Sequence, residues 1–265
     1  MAAPISPPDH DLKPGPPEVS AQGETHVMGF FEHLEELRMR LTRAGAAVLI
    51  GMLISLLFTN EVISYLSRSY GDKLALLEPT DSVVTFFRVA LMLGAILAMP
   101  MITYQIFMFV IPALTKNERR WVFLALPGTT ALFLGGVVFT WFFLVPLYIN
   151  FLKTFQGDIF ETVWTADAYI TFVTAVLFWH GAAFETPLIF YVLGRMGLVT
   201  AQGMIRWWRQ AIVGAAVLSA LITPTVDPVT MSVIMVILIG LYVASIGLVF
   251  VATRTNRKRL ESNAP

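Results

Sequence analysis

Six apolar stretches divide the chain, at residues 44–58, 83–111, 121–151, 168–193, 211–222 and 231–250. A hydrocarbon core about 30 Å thick is crossed by roughly 20 helical residues, and several of the stretches reach that length. Of all the charged residues, only Arg88 and Glu185 fall inside them. The pattern predicts an all-α integral membrane protein with six transmembrane helices. The fifth stretch is anomalous, because residues 211–222 would rise only about 18 Å as a helix. A span that short thins the bilayer, tilts its neighbours or packs inside protein, so a thinned edge is expected at the fifth and sixth spans. Polar segments 59–82 and 152–167 read as loops on one face. Segments 112–120 and 194–210 read as returns on the other, the first closing spans two and three into a helical hairpin. Residues 30–43 (FFEHLEELRMRLTR) mix apolar and charged positions at helical spacing and read as an interfacial segment leading into the first span.

Composition agrees with this reading and narrows the chemistry. Hydrophobic residues make up 56% of the chain and charged residues 14%, with a mean hydropathy of +0.71; a soluble domain carries about a quarter charged residues. Residues 1–27 are rich in proline, cannot bury enough apolar surface to order, and read as a disordered cytosolic tail. They lack the basic start and apolar run of a signal peptide. The membrane domain is expected over 28–252, followed by a basic tail at 253–265. The chain has no cysteine, which excludes disulfides, thiolate metal sites and cysteine nucleophiles. No HExxH pair, Gly-x-Ser-x-Gly elbow or phosphate-binding glycine loop is present.

The 18 Lys and Arg residues balance 18 Asp and Glu residues overall, but not by face. Arg38, Arg40, Arg43, Lys116, Arg119, Arg120, Arg195, Arg206, Arg209 and the bases of 254–259 lie on one side. The opposite loops hold Arg68, Lys73 and Lys153 among Glu61, Asp72, Glu78, Asp81, Asp158, Glu161, Asp167 and Asp227. The positive-inside rule therefore places both termini in the cytosol.

Two carboxylates stand within the basic face. Glu36 is spaced for an i,i+4 pair with Arg40, and Glu118 for a capping box with Thr115 at the start of span three. Spacing alone favours these local roles. The functional alternative is that both accept a cationic peptide, for which paired guanidinium groups suit bidentate bonding. Glu185, in Phe184-Glu185-Thr186-Pro187, is an ionisable group inside a span and so a functional candidate by default. A structural carboxyl, protonated or paired within the bundle, is the competing reading, and Pro187 kinks the helix beside it. His180, five residues earlier, lies on another side of the helix and is not read as a relay partner. Arg88, near the outer end of span two, can snorkel and receives no role. Asp227-Pro228 reads as an N-cap with proline at the first helical position. Thr223 can bond a partner helix or its own backbone, and Trp207-Trp208 reads as an interfacial anchor.

The residues also carry a family pattern. It runs His33-Leu34-x-Glu36-Leu37-Arg38-x-Arg40-Leu41, then Phe109-x-x-Pro112-Ala113-Leu114 with Lys116-x-Glu118-Arg119-Arg120. Phe133-x-x-Gly136-x-x-Phe139 with Pro146, Phe184-Glu185-x-Pro187, and Thr223-Pro224 with Asp227 follow. In this order, between six spans with a short fifth, from about 30 to 250, the chain resembles the TatC family, the polytopic subunit of the twin-arginine protein translocase. The resemblance implies six helices in a concave, cupped wall in a prokaryotic cytoplasmic membrane. It implies a non-enzymatic receptor and scaffold that binds twin-arginine signal peptides of folded precursors at the cytosolic face. Glu36 and Glu118 match the signal-peptide-binding positions, Arg38, Arg40, Phe109 and Pro112 the residues that shape that face, and Glu185 the acid facing the cavity. Thr223 becomes a candidate contact for single-span TatA/TatB-type subunits, in a complex with multiple copies. No cofactor and no nucleic acid is implied; transport is driven by the proton-motive force. Two departures concern the last span, where Met231 and Val243 replace polar residues common in the family and shift partner docking toward packing; Trp141 stands where Tyr is common. The competing class is a proton-coupled small-molecule transporter using Glu185, whose usual internal repeats are not evident here.

Overall fold

The computed structural model describes residues 30–68, 70, 74–110, 116–157, 159, 163–223 and 227–262, with backbone alone at 30, 33, 110, 116–125 and 255–262. Helices follow one another as α1 (Phe30–Ser55), α2 (Thr59–Arg68), α3 (Asp81–Val110), α4 (Lys116–Phe139), a π-helical turn (Thr140–Leu144), α5 (Val145–Thr154), α6 (Ala166–Phe184), α7 (Thr186–Arg195), α8 (Ala201–Arg206), α9 (Trp208–Ile222) and α10 (Pro228–Ser262). Among the described residues no strand forms beyond one isolated bridge, Ala75 with Thr165.

Four helical segments are long and apolar enough to cross a bilayer: Asp81–Phe109, Leu126–Thr154, Ala166–Arg195 and Pro228–Arg254. A fifth candidate is α1 with α2, bent by 81° at the break. The short α9, apolar along its length, would rise about 22 Å. Among the described residues each expected apolar stretch falls mainly on helix, and the fifth is short as expected. The tail at 1–27 lies outside the described residues, while α10 continues as helix through the basic segment to Ser262.

Among the described residues two expected connections hold a helix of their own, and one of them, 194–210, contains α8 and the start of α9. Segment 59–82 opens with α2, whose Val62, Ile63 and Leu66 fall at helical spacing and pack on the main core, with Leu66 buried. A ten-residue amphipathic helix among charged neighbours gives little hydropathy signal, so its apolar face becomes evident only where α3 and α6 receive it.

Breaks in the long segments have local causes. Pro146 cannot donate a backbone hydrogen bond, and just before it the helix widens so that the Val145 N–H bonds the carbonyl of Thr140, five residues back. Pro187 follows a different break between α6 and α7, where the Glu185 N–H reaches back only three residues, to the Ala182 carbonyl at 3.2 Å. The main core lies among α2, α3, α5, α6 and the start of α10, around the fully buried Tyr148, Tyr169, Ile170, Val173 and Val176.

At the crossing of α1 and α3 the two backbones come into direct contact. A Cβ added at Gly51 would stand 2.5 Å from the Gly94 carbonyl oxygen, and one at Gly94 would strike the Met52 backbone. Four residues along α1, Ser55 Oγ donates to the Ala90 carbonyl at 2.6 Å. Lipid supplies no hydrophobic drive between helices, so such small-residue contacts and polar bonds hold them together. Gly45, on the same helix, has nothing within 4 Å of an added Cβ. Gly51→Ala is expected to destabilise the protein by about 1–3 kcal/mol through overpacking. Gly45→Ala should be neutral or gain up to about 1 kcal/mol from helix propensity. Thermal unfolding of both variants in detergent checks the difference in sign.

Candidate functional site

At the start of α1, Glu35, Leu37 and Arg38 are exposed, yet Glu36 between them is only 9% exposed. Arg40, one turn later, donates through Nε to Glu36 Oε1 at 3.0 Å, and its Nη2 pairs with the same oxygen. The i,i+4 pair expected from spacing is therefore formed, but it uses one carboxylate oxygen. The other, Oε2, is buried and has no hydrogen-bond partner among the described residues.

The antiparallel register of α1 and α3 shows what lies beside this carboxylate. Gly51 meets Gly94 and Ser55 meets Ala90, and the same one-for-one register carried back along α1 brings Glu36 level with Phe109. Phe109 is half-buried near the end of α3. Glu118 sits in the first turn of α4, which starts close to where α3 ends, so its backbone belongs to the same end of the bundle. Its side chain, the Thr115 capping box and Pro112 lie outside the described residues. Arg38 is exposed on α1 and its carbonyl accepts from the Thr42 hydroxyl at 2.8 Å. The structure therefore gathers Glu36, Arg38, Arg40, Phe109 and the Glu118 backbone at one end.

Glu185 lies apart from that group, inside the bundle at the α6–α7 break, and is 4% exposed. The Thr103 hydroxyl lies 3.3 and 3.4 Å from its two carboxylate oxygens and donates to the carboxylate. Thr103 went unremarked in the sequence reading. Its signal was a hydroxyl on the inner face of an otherwise apolar span, visible only once α6 is packed against α3. His180 is separate, as expected. Its Nδ1 donates to the Val176 carbonyl at 2.8 Å, leaving Nε2 facing the buried Tyr148 hydroxyl at 3.5 Å.

At the opposite end, Arg88 has partners that the sequence did not indicate. Its guanidinium pairs with Asp167 and bonds the Thr171 hydroxyl, both on the first turns of α6. Nearby, Tyr70 stacks on Trp164 at 5.4 Å between ring centres, and its hydroxyl accepts from the Trp164 backbone N–H. Lys153 Nζ donates to the Tyr70 carbonyl and sits 3.7 Å from the ring centre. The bridge between Ala75 and Thr165 completes a clamp joining the two loops of this face.

In the last third, Thr223 donates to the Ser219 carbonyl of its own helix at 2.5 Å. Asp227 Oδ1 accepts from the Thr230 N–H at 2.7 Å ahead of Pro228, the N-cap expected from sequence. Trp207 and Trp208 are exposed, with Arg209 over the Trp208 ring. Arg195, one of the bases assigned above to the basic side, is 8% exposed and donates to the Tyr191 hydroxyl at 3.2 Å. Among the described residues no cluster of His, Asp or Glu could hold a metal ion.

The fold and site define a polytopic α-helical membrane protein with a half-satisfied buried carboxylate at one end and a second carboxylate held inside the bundle. The profile of the family described as TatC, Sec-independent protein translocase protein, matches residues 32–236. The TatC protein of Synechocystis sp. is 36% identical over 223 residues, covering 84% of this chain and 88% of its own. The chloroplastic TATC of Pisum sativum is 34% identical, covering 86% of this chain and 65% of its own. A crystal structure described as the twin arginine translocase receptor TatC superposes with a TM-score of 0.73 at 35% identity, over 83% of this chain and 99% of that one. The chain belongs to the TatC family. It is a translocase subunit of the receptor type and not an enzyme, which decides against the small-molecule transporter reading.

Thr103 is the described partner of a buried carboxylate, so Thr103→Val is expected to cost about 1–3 kcal/mol, while Thr103→Ser costs little. In a Glu185→Ala background the Thr103→Val penalty should largely vanish. A double-mutant cycle of thermal unfolding in detergent measures this coupling.

Proposed function

We propose that the chain is the signal-peptide receptor and core scaffold of the twin-arginine translocase. Glu36 and Glu118 accept the arginine pair of a folded precursor's signal peptide at the cytosolic face, with Arg38, Arg40, Phe109 and Pro112 shaping that face. The peptide then inserts along the bundle past Glu185, while single-span TatA/TatB-type subunits assemble at α9 and α10 around Thr223. Export is driven by the proton-motive force across a prokaryotic cytoplasmic membrane that the chain crosses six times, in complexes holding multiple copies.

The observation that carries this reading is the state of Glu36. One oxygen is bound by Arg40, and the other is buried without a described partner. A buried carboxylate oxygen in that state calls for a cationic donor, and a guanidinium supplies charge and directed N–H groups together. The charge distribution along the sequence puts this end in the cytosol. For the partner surface, support comes from the exposed apolar rows Val213, Val217 and Leu221 of α9 and Val236 and Val243 of α10, on a span too short for the bilayer.

Capture of a twin-arginine signal peptide by crosslinking tests the assignment. Glu36→Gln and Glu118→Ala should each lower capture about tenfold or more, the loss of one charge-assisted bond. Glu118→Arg should fall below Glu118→Ala, because repulsion is added to the lost bond. Undiminished capture in Glu36→Gln and Glu118→Ala would refute the receptor role of these residues. Equal effects of Ala and Arg at position 118 would leave Glu118 with a capping role only.

A further inference from the structure

We propose that Gln105 is an additional acceptor in this receptor site, positioned to bind the same arginine side chain that engages Glu36 and so to select guanidinium over ammonium, a role that rests on the receptor reading above. Among the described residues, five buried side-chain polar atoms have no hydrogen-bond partner. Three are threonine hydroxyls, at Thr85, Thr140 and Thr230, which can rotate to find a local carbonyl. The other two cannot. They are Glu36 Oε2 and Gln105 Oε1, and an ionised carboxylate oxygen and an amide oxygen only accept.

These two acceptors sit on the two helices that cross at the glycine contact. Gln105 lies one turn deeper along α3 than Phe109, about 6 Å at helical rise, and is 4% exposed. The register that brings Phe109 level with Glu36 brings Gln105 level with Arg40. Arg40 does not serve both acceptors, since its described bonds go to Glu36 Oε1. The amide nitrogen of Gln105 is spent on the Met101 sulfur at 3.8 Å, a weak acceptor. The α1–α3 seam therefore holds one carboxylate oxygen and one amide oxygen, both buried and both awaiting a donor.

The ligand that fits is a planar group with several N–H donors and a positive charge. A guanidinium carries five donors in a rigid fork and can span two acceptors on separate helices. An ammonium concentrates its donors at one point and is more strongly hydrated, so it gains less from the second, deeper acceptor. Glu36 then supplies charge recognition, and Gln105 supplies discrimination between arginine and lysine. Buried polar groups are ordinarily paired, and a pair of unmet acceptors at a receptor face is explained by a ligand that brings the donors.

The test measures affinity of the full-length chain in detergent for a fluorescent signal peptide carrying Arg-Arg and for the same peptide carrying Lys-Lys. Gln105→Met keeps the length and apolar contacts of the side chain and removes the acceptor. It should weaken Arg-Arg binding about tenfold, the loss of one bond to a charged group, and leave Lys-Lys binding within about twofold. Unchanged Arg-Arg binding, or equal weakening of both peptides, overturns the proposal. Gln105→Glu retains the acceptor and should hold Arg-Arg affinity at or above the original. A loss there overturns the proposal too, and this variant carries the test if Gln105→Met does not accumulate. Glu36→Gln separates the two levels. If it loses Arg-Arg binding while Gln105→Met does not, the role of Gln105 fails alone; if Glu36→Gln binds normally, the receptor reading fails first.

Discussion

The close crossing of α1 over α3 is the constraint on which the functional end depends. Two glycines meeting backbone to backbone, with Ser55 donating across the seam, fix the axial register of the two helices. Once Gly51 is held against Gly94, Glu36 must come level with Phe109 and Arg40 with Gln105. A side chain at either glycine would force the helices apart, and their near ends would be free to slide. The site is assembled far from this crossing, but its alignment is set there.

A second set of constraints acts on the other face. The ion pair of Arg88 with Asp167 and the stacked Tyr70 and Trp164 with Lys153 tie the start of α3 and the two loops of that face to α6. The π-helical turn before Pro146 and the break at Glu185 before Pro187 let α4–α5 and α6–α7 bend between the two ends. Glu185 falls at such a break, where Thr103 compensates its burial. The two ionisable groups inside the spans are thus both bonded, Arg88 to Asp167 and Glu185 to Thr103. Among the described residues, the buried acceptor-only atoms left without a donor are Glu36 Oε2 and Gln105 Oε1.

What the sequence revealed divides along the same physical line. Features set by local spacing were legible: the apolar stretches, the short α9, the Glu36–Arg40 pair, the Asp227 cap and the two ionisable residues inside spans. Motif order was enough to suggest the family, which the comparisons then showed. Features set by packing were not legible. Arg88 meets a carboxylate 79 residues away, and Thr103 meets Glu185 across 82 residues; no periodicity encodes either encounter. The helix α2 escaped because its few apolar residues matter only against α3 and α6. Gln105 carried no signal in the sequence, since it comes level with Arg40 only through the register of α1 and α3.

The central claim is that precursor arginines are received at the end of α3 that lies level with Glu36. Its most direct test is photocrosslinking from two positions on that helix. A benzophenone side chain replaces Phe109 in one variant and Phe87, exposed at the opposite end of α3, in another. Each is irradiated with a signal peptide labelled beside its arginine pair. The account predicts crosslinks at the labelled segment from position 109 and none from position 87. Equal capture from both positions, or capture from 87 alone, would contradict it.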